Sequence, residues 1–277
     1  MIVPGSASQE VAAALSRELD EPLAAAEYDR FADGETLVRV PETAERAIVV
    51  ASTVSDAAHV ELLQLQDAAR EQAEEVVTVL PYMGYARQDR AFEAGQPVSA
   101  RAMARAISTG TDRVVTVNPH EGSVCDFFET PCTVVDAAGR LAEPLPSLSE
   151  PLFLSPDASA VDLAEAVRDA YGAGEADYFE KDRHSDTDVE IRPSDANTAN
   201  RDVVLVDDII ATGSTMSMAI AQLSEPARVF VTCVHPMLAA NARSKLATAG
   251  VDAVYGTDTI ERAGSAVSVA PAIADKL

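Results

Sequence analysis

The chain has 277 residues, of which 47% are hydrophobic and 24% are charged, enough to fill the cores of two α/β domains. Its formal net charge of -24 argues against nucleic-acid binding, because a phosphate backbone needs a basic protein face. No apolar run reaches the ~18 residues of a membrane span, and the start, MIVPGSASQE, lacks the features of a secretory signal. We therefore expect a cytoplasmic protein that binds neither nucleic acid nor membrane.

The charged residues have an unusual composition. Acidic residues number 45 against 21 basic ones, and only three basic residues are lysines: Lys181, Lys245 and Lys276. The acids are scattered along the chain rather than grouped in blocks. An acidic interaction surface is one interpretation, but the pattern favours a protein of a halophile, kept soluble by carboxylates and screened over ~3 Å at 1 M salt. We therefore expect folding and activity to need high salt.

The cysteines indicate no covalent framework. Cys125, Cys132 and Cys233 are odd in number and show no CxxC spacing. This pattern disfavours a disulfide framework and a structural zinc site, and it predicts buried, unreactive thiols.

Short β-branched runs alternate with alanine-rich amphipathic stretches along most of the chain. We predict strands at Ala47–Ser52, Val76–Leu80, Arg113–Val117, Pro151–Ser155, Val203–Val206, Val229–Val234 and Ala253–Tyr255. We predict helices at Asp56–Ala73, Pro97–Ser108, Ser159–Tyr171, Ser214–Ser224 and Ala239–Ala249, and the end of the chain, Val267–Leu277, fits a terminal helix on either domain. Near-continuous apolar strands joined by helices are typical of βαβ units around parallel sheets.

A proline-rich stretch interrupts this alternation. Glu143–Pro151 reads EPLPSLSEP and holds three prolines, which is typical of a linker. We therefore predict two domains of similar size, residues 1–143 and residues 144–277.

The most informative segment is Val203–Thr215, which reads VVLVDDIIATGST. Its four apolar residues predict a buried strand that ends at Asp207 and Asp208, on the edge where open α/β sheets bind ligands. Carboxylates at this edge can accept hydrogen bonds from vicinal sugar hydroxyls or face a magnesium ion. A pair of strand-capping aspartates before an ordinary helix N-cap is the alternative interpretation.

The loop after this strand has the composition of an anion site. Gly213 permits a tight turn, and the backbone amides at the start of the next helix can point at an anion. Hydroxyl groups add donors at Thr212, Ser214 and Thr215. One end of Val203–Thr215 therefore suits a phosphate and the other suits a diol, which are the two ends of ribose 5-phosphate.

Val203–Thr215 resembles the phosphoribosyl-pyrophosphate loop of the phosphoribosyltransferase fold. The resemblance implies two tandem phosphoribosyltransferase-like α/β domains, each a mostly parallel sheet flanked by helices. It also implies that the 5-phosphate binds at Ala211, Thr212, Gly213, Ser214 and Thr215. The chain has no GxxxxGKS or GxxxxGKT sequence and no GxGxxG fingerprint, which disfavours a P-loop kinase or a Rossmann enzyme.

Two segments of the first half narrow the resemblance to the ribose-phosphate pyrophosphokinases. Phe31–Glu35 reads FADGE, and Pro81–Arg90 reads PYMGYARQDR after a predicted strand. In the second segment Arg87 can grip phosphate oxygens and Gln88 can hydrogen-bond a nucleotide. The resemblance implies that FADGE reaches the adenine of an ATP held mainly by a neighbouring subunit, through Phe31, Asp33, Gly34 and Glu35. A homo-oligomer, a dimer or larger, follows from this implication.

Three further segments match the family. Val117–Phe128 reads VNPHEGSVCDFF, and the resemblance implies that His120 contacts the magnesium ion of Mg-ATP, directly or through water. Ser155–Asp157 reads SPD, and by resemblance Asp157 contacts a second magnesium ion or the ribose. Tyr178–Ile191 carries the basic pair Lys181 and Arg183, which match the family's flexible catalytic loop; Arg183 would also contact ribose 5-phosphate.

The resemblance therefore implies a ribose-phosphate diphosphokinase that uses ATP, ribose 5-phosphate and Mg²⁺, and the acidic composition predicts that it comes from a halophilic archaeon. Two alternatives stay open. A phosphoribosyltransferase would share the loop at Val203–Thr215 but needs neither FADGE nor PYMGYARQDR. A catalytically inactive regulatory relative would be marked by loss of the basic pair or the strand-end histidine, and this chain keeps both.

Overall fold

The computed structural model describes the side chains of residues 1–179 and 197–277 and, in addition, the backbone of residues 180–183 and 189–192. The chain divides into two compact units. Unit 1 comprises residues 1–136, 258–261 and 268–277, and unit 2 comprises residues 137–257 and 262–267. Among the described residues, no helix has both the length and the apolar character needed to cross a bilayer.

Unit 1 is built on a parallel five-stranded sheet with the order β1-β4-β5-β6-β7. Its strands are β1 (Ile2–Pro4), β4 (Ala44–Val50), β5 (Ala73–Leu80), β6 (Arg113–Val117) and β7 (Cys132–Val135), and β2 (Glu27–Arg30) and β3 (Thr36–Arg39) form a separate antiparallel hairpin. Its helices are α1 (Gln9–Leu19), α2 (Asp56–Arg70), α3 (Ser99–Ser108) and α7 (Ala270–Ala274), and Gly122–Phe127 forms a 3-10 helix. The central strands β4 and β5 are fully buried over their second halves, so both faces of the sheet are covered.

Unit 2 is built on a parallel six-stranded sheet with the order β15-β14-β13-β12-β8-β9. Its strands are β8 (Leu152–Ser155), β9 (Glu175–Tyr178), β12 (Asp202–Ile209), β13 (Arg228–His235), β14 (Ala253–Thr257) and β15 (Ser265–Val267). Strands β10 (Glu180–Arg183) and β11 (Val189–Arg192) form a separate antiparallel pair. The helices are α4 (Val161–Tyr171), α5 (Ser214–Ile220) and α6 (Ala242–Thr248), with 3-10 helices at Ala138–Ala142 and Ala158–Ala160.

All seven predicted strands and all five predicted helices are present, with ends that shift by a few residues. The predicted parallel sheets flanked by helices are confirmed. Their formation follows from sequence pattern, since β-branched runs such as Val203–Val206 are buried on both faces of a parallel sheet.

The units differ from the expected domains, residues 1–143 and 144–277, in three segments: residues 137–143 lie in unit 2, and residues 258–261 and 268–277 lie in unit 1. Unit 2 begins at Ala137, because the 3-10 helix Ala138–Ala142 packs on α4 and β13. The end of the chain lies in unit 1, because α7 packs on α1 and Asp258 accepts a hydrogen bond from the backbone of Val269 at 2.9 Å. The terminal helix predicted over Val267–Leu277 is thus confined to the five residues of α7.

The prediction of three buried thiols is wrong for two of the cysteines. Cys125 and Cys132 form a disulfide, with their Cα atoms 5.4 Å apart, and both residues are partly exposed. The 3-10 helix Gly122–Phe127 turns the chain from β6 back to the neighbouring strand β7, and this turn brings the two cysteines together. Cys233 on β13 is buried and free, as predicted, and its burial raises the pKa of the thiol.

Candidate active site

Three carboxylates meet at the carboxyl edge of the sheet in unit 2. Asp207 and Asp208 lie near the end of β12, and Asp157 follows the adjacent strand β8. The backbone amide of Asp208 donates a hydrogen bond to Asp207 Oδ1 at 3.0 Å. Burial, the charge of Asp208 and the charge of Asp157 raise the pKa of Asp207 well above its usual value. This edge therefore concentrates negative charge that a bound cation or sugar hydroxyls would stabilise.

Asp157 also has a structural role. Its Oδ1 accepts hydrogen bonds from the backbone amide of Ser159, at 3.0 Å, and from the hydroxyl of Ser159. Asp157 is thereby the N-cap of the 3-10 helix Ala158–Ala160. These contacts hold its carboxylate at the sheet edge.

The segment Ala211–Thr215, here called the phosphate loop, leaves β12 and leads into α5. Gly213 has φ +72°, and a side chain at this position would lie 3.3 Å from Leu246. The carbonyl of Gly213 accepts hydrogen bonds from the amide of Ser217, at 3.0 Å, and from its hydroxyl, at 2.9 Å. The sharp turn thus needs a residue that tolerates positive φ next to α6, which explains the glycine.

The hydroxyl groups of the phosphate loop lie close together. Thr212 Oγ1 is 3.2 Å from Ser214 Oγ, and both residues are exposed. Ala211 and Thr215 are half-buried, and the carbonyl of Ala211 accepts a hydrogen bond from Ala239 at 2.8 Å. Lys245, on α6, donates a hydrogen bond to Ser214 Oγ at 2.7 Å. The structure therefore adds a cation to a loop whose own residues carry no charge.

In unit 1, the segment Pro81–Arg90, here called the PYMGYARQDR loop, follows β5 and borders a cavity of about 430 Å³. The cavity is lined by Thr53, Val54, Ser55, Asp56, Tyr82, Gly84, Tyr85, Arg87, Gln88 and Phe92. Gly84 is essential to this arrangement, since a Cβ atom there would lie 2.2 Å from the carbonyl oxygen of Thr53. The loop and the segment between β4 and α2 therefore pack backbone against backbone.

The side chains of Arg87 and Gln88 differ in whether they already have hydrogen-bond partners. Arg87 is exposed on the cavity wall, and no residue described in the structure pairs with its guanidinium. The Gln88 side chain is engaged with the start of α3: its amide nitrogen donates to the Pro97 carbonyl at 3.2 Å, and its oxygen accepts from the Ser99 hydroxyl. Arg87 is thus available to an anion as it stands, whereas a nucleotide would have to compete for Gln88.

The FADGE segment forms the tip of the β2–β3 hairpin. Phe31 is 53% exposed, and its backbone amide donates to the Glu35 carbonyl at 2.9 Å. Gly34 adopts φ +93°, and Asp33 Oδ1 accepts a hydrogen bond from the amide of Glu35 at 3.2 Å. A large aromatic ring and two acids are thus presented to solvent on a closed turn.

The remaining predicted residues lie at strand ends or outside the described side chains. His120 is exposed and follows β6, at the carboxyl edge of the sheet in unit 1. Lys181 and Arg183 lie on β10, where their backbones pair with Ile191 and Val189 of β11. The side chains of this basic pair lie outside the described residues.

Comparison with known proteins decides the family. A model of the N-terminal domain of ribose phosphate pyrophosphokinase matches residues 1–110. The ribose-phosphate pyrophosphokinase of Halobacterium salinarum is 63% identical, over 100% of both chains. The chain belongs to the ribose-phosphate pyrophosphokinase family. The predicted membership is thereby confirmed.

Two further ribose-phosphate pyrophosphokinase family members extend the similarity. The ribose-phosphate pyrophosphokinase of Methanosarcina mazei is 43% identical over 100% of this chain and 94% of its own. The crystal structure of phosphoribosylpyrophosphate synthetase from Mycobacterium smegmatis matches with a TM-score of 0.81 and 25% identity. That match covers 100% of this chain and 96% of the other, so the likeness includes both units.

The donor set of unit 2 fits the magnesium ion that a ribose-phosphate pyrophosphokinase needs for its Mg-ATP. Among the side chains that the structure describes, no three His, Cys, Asp or Glu residues form a ready cage for a metal. Mg²⁺ is usually held by one or two carboxylates together with substrate phosphates and water. Burial, followed by the charges of Asp208 and Asp157, raises the pKa of Asp207, and carboxylate oxygens of this kind are the ligands that Mg²⁺ prefers.

Sequence reasoning missed three residues that contact the two loops. Lys245 contacts the phosphate loop from 31 residues away, and Asp56 contacts Tyr85 from 29 residues away. His59 packs on Tyr85, with ring centroids 5.5 Å apart. No local pattern could reveal these contacts, although the rarity of lysine in this chain is a signal that could have singled out Lys245.

Proposed function

We propose that this protein is a ribose-phosphate diphosphokinase, which transfers the pyrophosphoryl group of Mg-ATP to the 1-hydroxyl of ribose 5-phosphate. The products are 5-phosphoribosyl 1-pyrophosphate and AMP, for nucleotide biosynthesis. The observation that carries the proposal is the pairing of a carboxylate edge with a hydroxyl-rich phosphate loop on one strand, β12, in a chain of this family. This pairing suits a ligand with a diol at one end and a phosphate at the other.

Ribose 5-phosphate would bind in unit 2. Its 5-phosphate would accept hydrogen bonds from the amides and hydroxyls of the phosphate loop, Ala211–Thr215. Its vicinal hydroxyls would donate to Asp207 and Asp208, which stand at the other end of the same segment. Hydroxyl donors would offset the crowding of negative charge that raises the pKa of Asp207.

ATP would bind on unit 1. Arg87 would hold phosphate oxygens on the wall of the 430 Å³ cavity, and Gln88 would exchange its internal hydrogen bonds for the nucleotide. The exposed hairpin tip of Phe31, Asp33, Gly34 and Glu35 would reach the adenine bound to a neighbouring subunit, which makes the active protein a homo-oligomer, a dimer or larger. An aromatic ring that is 53% exposed on such a turn is suited to stacking on a base.

The reaction requires alignment and charge neutralisation more than covalent help from the protein. The 1-hydroxyl oxygen forms a bond to the β-phosphorus, the bond from that phosphorus to the αβ-bridging oxygen breaks, and AMP leaves with that oxygen while the hydroxyl proton is released. Mg²⁺ would neutralise charge on the transferring phosphates: His120 would contact the magnesium ion of Mg-ATP, directly or through water, and Asp157 would contact a second magnesium ion or the ribose. Lys181 and Arg183 would stabilise the negative charge that develops on the transferring group, and Arg183 would also contact the sugar phosphate.

Two alternatives are less well supported. A phosphoribosyltransferase would need the phosphate loop but not the PYMGYARQDR loop or FADGE. A regulatory relative without activity would have no use for the strand-end histidine His120, nor for the basic pair on β10. The acidic composition further leads us to propose that the protein works in the cytoplasm of a halophilic archaeon.

The test is an assay for AMP release from Mg-ATP in molar KCl, with and without ribose 5-phosphate. We expect AMP to form only with the sugar phosphate and to fall at least a hundredfold in Lys181→Ala, while Lys276→Ala, a matched lysine loss in unit 1, keeps full activity. Product analysis must find pyrophosphate on the 1-position of the sugar. Folded protein that binds ATP but releases no AMP would overturn the proposal in favour of a regulatory role.

A further inference from the structure

Lys245 is a basic side chain that contacts the phosphate loop from a different element, α6. It lies in the last turn of α6, and its ammonium donates to Ser214 Oγ at 2.7 Å. Lys245 is half-buried and forms no ion pair with any described carboxylate. The chain has 45 acidic residues but only three lysines. The position of Lys245, beside an anion-binding loop and without a described carboxylate partner, is therefore not explained by a surface ion pair.

The electrostatics of β12 make a cation useful at this place. Asp207 and Asp208 precede the phosphate loop on the same strand, and their mutual repulsion contributes to the raised pKa of Asp207. A phosphate dianion that approaches the loop meets this negative charge. The ammonium of Lys245, which contacts Ser214 of the loop, offsets part of that repulsion.

The direction of the hydrogen bond determines what the loop offers to a ligand. An ammonium group can only donate, so Ser214 Oγ must accept, and the hydroxyl proton of Ser214 points away from Lys245. That proton goes either to a ligand or to Thr212 Oγ1, 3.2 Å away. If it goes to Thr212, the Thr212 proton is turned outward instead. In both arrangements Lys245 leaves a polarised hydroxyl donor directed out of the loop.

The surroundings of Lys245 are compatible with an anion. A cavity of about 370 Å³ lies beside α5 and α6, lined by Lys245 together with Ser217, Asn241, Ser244, Thr248 and Ala249. None of these lining residues is acidic. The described residues that line this cavity therefore present no carboxylate to an anion beside Lys245.

We propose that Lys245 is a positioning residue for the 5-phosphate of ribose 5-phosphate: it orients the hydroxyls of Ser214 and Thr212 as donors to the phosphate dianion. This inference rests on the proposed function, because it deepens the assignment of the same loop. Lys245 acts through Ser214, so its effect is specific to the sugar phosphate and depends on the serine hydroxyl.

The first experiment compares Lys245→Met, Lys245→Arg and Arg243→Met in steady-state kinetics at molar KCl. Lys245→Met is expected to raise the KM for ribose 5-phosphate about tenfold, the loss typical of a charge-assisted hydrogen bond, with the KM for ATP unchanged. Lys245→Arg keeps the charge and should recover most of the affinity. Arg243→Met removes the same charge from the same helix, outside the cavity, and should have no effect.

The second experiment tests whether the lysine acts through the serine. In a double-mutant cycle on ribose 5-phosphate binding measured by calorimetry, Lys245→Met should cost less than twofold once Ser214→Ala is present, because the relay is already broken. Thermal unfolding of each variant separates this effect from loss of fold, and Lys245→Gln replaces Lys245→Met if the latter does not fold.

The outcomes separate the inference from the proposed function. If the wild-type protein releases no sugar-dependent AMP, the proposed function fails. If the wild-type protein is active but Lys245→Met leaves the KM for ribose 5-phosphate unchanged, or raises both KM values equally, the inference fails alone. Full additivity of the two substitutions would also overturn it, since Lys245 would then act independently of Ser214.

Discussion

The hydroxyl of Tyr85 donates a hydrogen bond to Asp56 Oδ1 at 2.5 Å, and this contact joins the PYMGYARQDR loop to the first turn of α2. Tyr85 has φ +65°, a backbone conformation that a bulky residue rarely adopts without support. The ring of His59 packs against the ring of Tyr85. The Nε2 atom of His59 is buried and has no hydrogen-bond partner among the described residues. Burial lowers the pKa of His59, so it supports the tyrosine as a neutral ring.

We predict that Tyr85→Phe weakens ATP binding. The substitution keeps the ring on His59 but removes the hydrogen bond to Asp56, so the loop that carries Arg87 loses about 1 kcal/mol of support. The dissociation constant for ATP should rise about fivefold, with ribose 5-phosphate binding unaffected. Tyr171→Phe, which removes a hydrogen bond to the Pro146 carbonyl and one from the Leu148 amide in unit 2, is the control. An unchanged ATP affinity would mean that the bond does not support the loop.

We predict that Asp207→Asn stabilises the protein without ligands and abolishes its activity. The pKa of Asp207 is raised in the folded state, so the charged form is disfavoured by folding at pH 7, and an amide removes that penalty. The melting temperature should rise by roughly 3 °C in metal-free buffer at pH 7. Asp275→Asn, at an exposed position near the end of the chain, should leave the melting temperature unchanged.

The same substitution has a predictable pH dependence. A carboxyl whose folded-state pKa is raised takes up its proton more readily when folded, so wild-type stability increases as pH falls through that pKa towards the unfolded value of about 3.9. The advantage of Asp207→Asn should therefore shrink as the pH is lowered from 7 towards 4. Melting temperatures of the wild type and of Asp207→Asn at several pH values measure this difference in stability. A difference that grew as the pH was lowered would contradict the raised pKa of Asp207.

We predict that the Cys125–Cys132 bond stabilises unit 1. Thiol titration of the unfolded oxidised chain should detect one reactive cysteine, Cys233, and all three after reduction. Closing a loop with a sequence separation of 7 contributes about 2 kcal/mol in the chain-entropy model. Cys125→Ser should lower the free energy of unfolding by that amount under oxidising conditions and by nothing after reduction. Three reactive thiols in the untreated protein would refute the bond.

We predict that folding and activity require high salt. With a net charge of -24, self-repulsion between scattered carboxylates is unscreened at low ionic strength. Circular dichroism melts from 0.1 to 3 M KCl should show a rising midpoint, and AMP release should rise in parallel. Potassium chloride and sodium chloride should act alike if screening is the cause. Stability that did not depend on salt would refute the halophile interpretation.

Local sequence determined the secondary structure and the placement of most candidate site residues. Apolar runs such as Val203–Val206 are typical of buried strands, and the polar residues that follow such a strand lie at the carboxyl edge of a parallel sheet. That rule placed Asp157, Asp207 and His120 without any knowledge of tertiary contacts. The phosphate loop was equally predictable, because Gly213 and its neighbouring hydroxyls are contiguous in the chain.

Tertiary structure alone decided the contacts between distant segments. Lys245 meets Ser214 because α5 and α6 pack side by side, and α7 joins unit 1 because it packs on α1. The pairing of Cys125 with Cys132 depends on a 3-10 turn that carries no periodic pattern. The periodicity of apolar residues indicates which face of a helix or strand is buried. The contacts of Lys245, of α7 and of the two cysteines depend instead on how separate elements pack together, and no local sequence pattern specifies that packing.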